Sequence, residues 1–145
     1  MFRDDYLMRH IEAVAQAIAH VAGLNRREEH EQALAAADAA WRELLTGPLE
    51  RLDQIDSATL VSLLRTPAKL RAAALLSHHE GRALAGLGHA TGAGQRYRRA
   101  MVLLLEASAL DQRADDVAAL AALAALVPVE ALAARYRARH PGALG

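Results

Sequence analysis

Alanine and leucine fill 59 of the 145 positions, 35 and 24 respectively. Against them stand 3 Ile, 7 Val and 4 Thr, with 5 aromatic residues in all. Ala and Leu lead the helix scale, whereas strands draw on β-branched and aromatic side chains. A chain of this make-up is expected to fold as helices and not as a sheet. Its length suits one domain, with enough core to fold without a disulfide or metal staple.

Cysteine is absent, which removes disulfides, thiolate metal sites and thiol nucleophiles from consideration. Seventeen acids balance seventeen bases, so the chain lacks the surplus cationic charge on which non-specific nucleic-acid binding rests. The bases are 16 Arg and a single Lys, a skew that fits a GC-rich coding bias and points to a bacterial source. The opening MFRDDYLMRHIE is charged, unlike a secretory signal. The uncharged run between Asp116 and Glu130, which no other exceeds, holds Pro128 and falls short of the ~20 residues a membrane span needs. A cytoplasmic protein without a membrane span is expected.

Helical periodicity runs along the chain. Leu7, Ile11, Val14, Ile18 and Val21 recur at steps of four and three, predicting a helix over 4–22 that stops at Gly23. Asn25 and Glu28 suggest a capping box opening a second helix, with Leu34, Ala37, Trp41, Leu44 and Leu45 on one stripe. Thr46-Gly47-Pro48 ends it. The connector 49–65 predicts one turn at 49–52 and a short helix capped by Asp56 or Ser57, bearing Leu60, Leu63 and Leu64. Thr66-Pro67 is a cap followed by proline at the first helical position, opening a helix that reaches 86–88. A turn over His89–Gly94 leads to a helix from about Ala93 to Leu110. Another should run from Asp111 or Arg113 to Val127 with Val117, Leu120, Ala121 and Ala124 inward. Pro128 starts the last, which holds Leu132 and Tyr136 and stops before Pro141.

From Ser77 to Leu105 the spacing of small and large residues carries a resemblance. Gly81, Leu84, Gly88, Ala93, Tyr97 and Ala100 follow one another as in a tetratricopeptide repeat, a helix–turn–helix unit of about 34 residues. Ser77, Leu84 and Leu105 depart from that family, which prefers Trp, Tyr and often Pro there. No second copy appears at a 34-residue offset, although Ala33, Ala37 and Ala40 echo the second half of a unit. The resemblance implies an all-α fold: six or seven helices as antiparallel hairpins stacked in a tetratricopeptide-like right-handed array over 1–140, with a frayed tail at 141–145. Phe2, Asp5, Tyr6, Leu7, Met8, Arg9, Ile11 and Glu12 also look like the start of a small uncharacterised bacterial family, whose members open with F-x-x-D-Y-L-M-R-x-I-E. That likeness brings no activity; Phe2, Leu7 and Ile11 are expected to anchor the first helix on the core.

Seven histidines invite a metal, yet none lies three or four residues from another, and consecutive His78, His79 and Glu80 should point apart. No cofactor is expected. Gly86–Gly94 is superficially like a phosphate loop but lacks the preceding strand and a glycine at Thr91. The serines sit in no catalytic motif, so an enzyme is not expected. Arg96, Arg98 and Arg99 flank Tyr97, and Arg135, Arg137 and Arg139 flank Tyr136. These clusters suit a nucleic acid, or ion pairing with acids such as Glu29, Asp111, Asp115 and Asp116.

In the repeat family the first helix of each pair lines a groove that holds protein segments. That resemblance implies a groove at Leu75, His78, Arg82 and Ala85, with His78 and Arg82 one turn apart and able to engage a carboxylate. The reading is a non-enzymatic protein-interaction module that binds a partner segment or its own copy, a dimer being favoured. The alternative is a small helical nucleic-acid-binding protein using the two arginine clusters. The uncharged run at 117–129 and the first helix's apolar stripe are the surfaces expected to self-associate.

Overall fold

The computed structural model describes the backbone of residues 2–46 and 55–144, and side chains over 5–46 and 55–142. Those residues form seven α-helices and no strand: α1 (Phe2–Arg26), α2 (His30–Leu45), α3 (Ser57–Leu64), α4 (Pro67–Gly86), α5 (Ala90–Leu110), α6 (Asp115–Ala124) and α7 (Ala134–Arg137). Short 3-10 turns at Val129–Ala131 and Pro141–Leu144 complete the C-terminal end. The expected turn at 49–52 lies outside the described residues.

Two long hairpins make the body. α1 pairs with α2 and α4 with α5, while α4 packs on both helices of the first hairpin. α6 then lies against α5, and α3 against α5 and α4. A single apolar core runs through the stack, from Val14, Ile18 and Val21 through Trp41 and Leu44 to Leu76, Met101 and Leu103. Each helix hides one face, so stacking hairpins is what makes that core continuous.

Both hairpins turn in the same way. N–H groups of Arg27, Glu28, Glu29 and Ala33 donate to the carbonyls of Gly23, Asn25, Leu24 and Glu29. Sixty residues on, Leu87, Gly88, His89 and Ala93 repeat the pattern with Ala83, Ala85, Leu84 and His89. Glu28 (φ 61°) and Gly88 (φ 83°) hold the same left-handed position. The two turns thus share one geometry at a 60-residue offset, with α3 and its flanking chain set between the hairpins. Ala33, Ala37 and Ala40 fall where Ala93, Tyr97 and Ala100 stand, all of them buried.

Local signals placed several helix starts. Asp56 accepts from the Thr59 N–H at 2.7 Å, and Thr66 accepts from the Lys69 N–H at 3.3 Å. Other boundaries differ from the sequence reading. α1 continues through Gly23 to Arg26, since burying Val21 and Leu24 outweighs the ~1 kcal/mol that glycine costs inside a helix. Asn25 is consequently inside α1 and caps nothing; Glu29 occupies the N-cap of α2. Gly88 alone reverses the second hairpin, so α5 begins at Ala90 and the expected turn at 89–94 shrinks to its first residue.

α1 is nine residues longer than α2 (25 against 16), and its first turns overhang the stack. Leu7 is accordingly exposed beside Tyr6 and Met8, and Ile11 is only half-buried, which corrects the anchoring role expected of them. α6 is rotated from the expected face, although Leu120 and Ala124 still pack against the core as expected. Asp116, Leu123 and Val127 are buried, whereas Val117 is 69% exposed and Ala121 is exposed. Arg71 sets this rotation by gripping both carboxylate oxygens of Asp116, at 3.0 and 2.8 Å. The last expected helix is broken at Leu132 and Ala133, where the Arg137 Nε–H takes the Leu132 carbonyl. Residues 141–144 form a turn tied by the Gly142 N–H to Nδ1 of the buried His140.

Candidate functional site

On α4, Leu75, His78, Arg82 and Ala85 follow at steps of three, four and three, and so share a face. Leu75 is 48% exposed, Arg82 and Ala85 are exposed, and His78 is half-buried. The His78 ring meets the Tyr97 ring edge-on, with centroids 5.7 Å apart. Tyr97 is held there from below: a Cβ on Gly81 would come within 2.5 Å of its Cε1. The glycine thus makes the space that the tyrosine fills, and the tyrosine in turn props the imidazole. Leu84 packs towards Gly92 across the hairpin, at 3.4 Å from where a Cβ there would stand.

The electrostatics of this face keep its imidazoles neutral. Burial, helped by the Arg82 charge, lowers the His78 pKa. Burial and then the neighbouring His78, Arg82 and Arg26 push His79 down to about 4. The consecutive rings of His78 and His79 do not point apart as expected; they lie nearly parallel, 6.1 Å apart. Within the row, the exposed Arg82 guanidinium is the cation, beside a neutral His78. It suits an acceptor-rich, anionic group, with Leu75 offering apolar contact next to it.

A second polar assembly lies inside the stack, and sequence reasoning missed it. The Trp41 indole N–H donates to the Glu80 carboxylate at 2.9 Å, joining α2 to α4. Arg96 of α5 stands 3.8 Å from the same oxygen. Burial raises the Glu80 pKa, opposed by the Trp41 bond and by the charges of Arg96 and Arg99. The available signal was Trp41 itself, since a buried indole N–H nearly always needs an acceptor. Nearby, the Asn25 amide donates to the His79 carbonyl at 2.9 Å while its oxygen meets His30 Nδ1 at 3.0 Å. That bond locks the end of α1 onto α4.

No family model, characterised protein or solved structure matches this chain.

The arginines of the two clusters are divided in their uses. Arg96, Arg98 and Arg99 line a cleft of about 310 Å³ with Gln95, Ile55, Asp56 and Ser57. Within it Arg99 is buried, Arg96 is half-buried next to Glu80, and Arg98 is exposed. The other cluster lies on and just after α7, and reaches α5 through Arg139 and Tyr136. Arg139 donates to the Leu105 carbonyl, Arg137 to the Leu132 carbonyl, and Arg135 sits 4.7 Å over the Tyr136 ring. The Tyr136 hydroxyl donates to Glu106 at 2.8 Å. Of the acids expected to meet these clusters, Asp111 and Asp116 bond Arg71 instead, Asp111 also meets Arg113, and Glu29 meets Arg27. Among the described residues no three potential metal ligands cluster, and no helix is long and apolar enough to cross a membrane.

Proposed function

We propose that this chain is a non-enzymatic, cytoplasmic bacterial protein-interaction module of the tetratricopeptide-like kind, whose α4 face holds a segment of a partner protein. The observation that carries the reading is the row Leu75, His78, Arg82 and Ala85 on the first helix of the second hairpin, left open to solvent above Tyr97. An acidic group on the segment would meet Arg82, and an apolar residue would pack on Leu75. The imidazole between them, kept neutral by burial, offers hydrogen bonds without a competing charge.

Support also comes from how the scaffold is built. Two hairpins with one turn geometry set their first helices, α1 and α4, side by side. The nucleic-acid reading has less to draw on, because Arg137 and Arg139 are spent on backbone carbonyls within the fold.

Selection of binders from a random peptide library tests the proposal. Recovered peptides should share a carboxylate beside an apolar residue. Arg82→Glu should weaken their binding at least about tenfold, His78→Ala less, and Arg98→Glu hardly at all. Peptides that bind Arg82→Glu as well as the wild type would overturn it.

A further inference from the structure

The cleft between the start of α3 and the first half of α5 takes no residue of the α4 row. On α5, Gln95 is followed three and four residues on by Arg98 and Arg99, so the three share a face, with Arg96 flanking them. Ile55, Asp56 and Ser57 close the opposite side. The cations are graded by depth: Arg98 is exposed, Arg96 half-buried and Arg99 buried. Two acids near the cleft have work of their own. Asp56 accepts from the Thr59 N–H that caps α3, and Glu80 accepts from the Trp41 indole. A concave surface dominated by one sign of charge focuses its field on what enters, and salt screens the deeper guanidiniums least.

The walls narrow the ligand. A volume of about 310 Å³ is the lower end of what small molecules occupy, and too little for a folded segment. Ile55 is the one apolar side chain in the lining and no aromatic ring belongs to it, so a nucleobase finds no ring to stack on. Donors come from two elements, Arg98 and Gln95 on α5 and the Ser57 hydroxyl on α3. A planar carboxylate offers two oxygens in one plane. A phosphoryl group spreads nearly two charges over three, which suits donors that approach from two sides. We propose that this cleft binds a small phosphate monoester, with Arg98 and Ser57 on the phosphoryl oxygens and Gln95 and Asp56 on hydroxyls of the remainder.

The cleft and the α4 row share no residue, so either can fail alone. Amide spectra of the full chain, titrated with glycerol phosphate and with ribose phosphate at constant ionic strength, test the proposal. Shifts should saturate at Ser57, Gln95 and Arg98 with a millimolar or lower Kd, while glycerol and ribose leave them unmoved. Arg98→Gln should weaken binding at least about tenfold and Ser57→Ala about threefold, with circular dichroism unchanged. Arg82→Gln, on the α4 row, should leave it as it was. Absence of a saturable shift with either ester, or a Kd indifferent to Arg98→Gln, would overturn the proposal. So would an oligothymidylate that binds more tightly than both esters and is lost steeply with salt, since the ligand would then be a nucleic acid.

Discussion

At Gly81 the distance of 2.5 Å from a notional Cβ to Tyr97 Cε1 leaves no room for any side chain. Gly81→Ala should therefore cost about 1–3 kcal/mol, as overpacking does, although alanine is the better helix former. Urea unfolding checks this, and a gain in stability would contradict the packing. His79 gives a second test at this scale. Its folded pKa, about 4, lies below the ordinary 6.5, so its contribution to stability is whole above pH 6.5 and is lost as pH falls towards 4. Glu80, raised by burial, works in the opposite sense and gains as it protonates. His79→Leu should then show a smaller fall in melting temperature between pH 6.5 and 4 than the wild type. Parallel curves would refute the assignment. Sequence reached Gly81 and Tyr97 because their spacing is local to one hairpin. It did not reach the Trp41–Glu80 bond, whose partners are 39 positions apart and marked by no pattern.

Between elements, the paired turns and the paired cores behave as copies with their sizes exchanged. The first hairpin has Val21 and Ala37, both buried, where the second has Gly81 and Tyr97. The large side chain has moved from one helix to the other. Gly81→Val and Tyr97→Ala should each be strongly destabilising, by overpacking and by a cavity, yet the double variant should lose much less than their sum. Additive losses in a double-mutant cycle would contradict the equivalence. The turns give a simpler comparison. Glu28 has no glycine to ease its positive φ, so Glu28→Gly should stabilise by up to about 1 kcal/mol, and Gly88→Ala should cost about 1–2 kcal/mol. Thermal unfolding of both variants decides it. Helix starts at Asp56 and Thr66 were legible because a cap bonds three residues ahead. The rotation of α6 was not, because it depends on Arg71, 45 residues from Asp116. α1 runs past Gly23 because tertiary burial there overrides local propensity.

Across the whole molecule, the all-α class followed from composition, since so few β-branched residues leave nothing to build a sheet. The likeness of the two turns was not legible, because α3 and its flanking chain set them 60 residues apart. The α4 row was an expectation from the tetratricopeptide resemblance, and the structure adds what sequence could not, the edge-on contact with Tyr97 and the neutral imidazoles beside Arg82. The central claim is that this row is where a partner segment lies. The most direct measurement is a backbone amide spectrum of the chain titrated with a peptide selected against it. Shifts should concentrate on residues 75–85 and Tyr97, leaving α6 and the Arg98 cleft still. Shifts gathered at α6 or in that cleft, with the α4 row unmoved, would contradict the account.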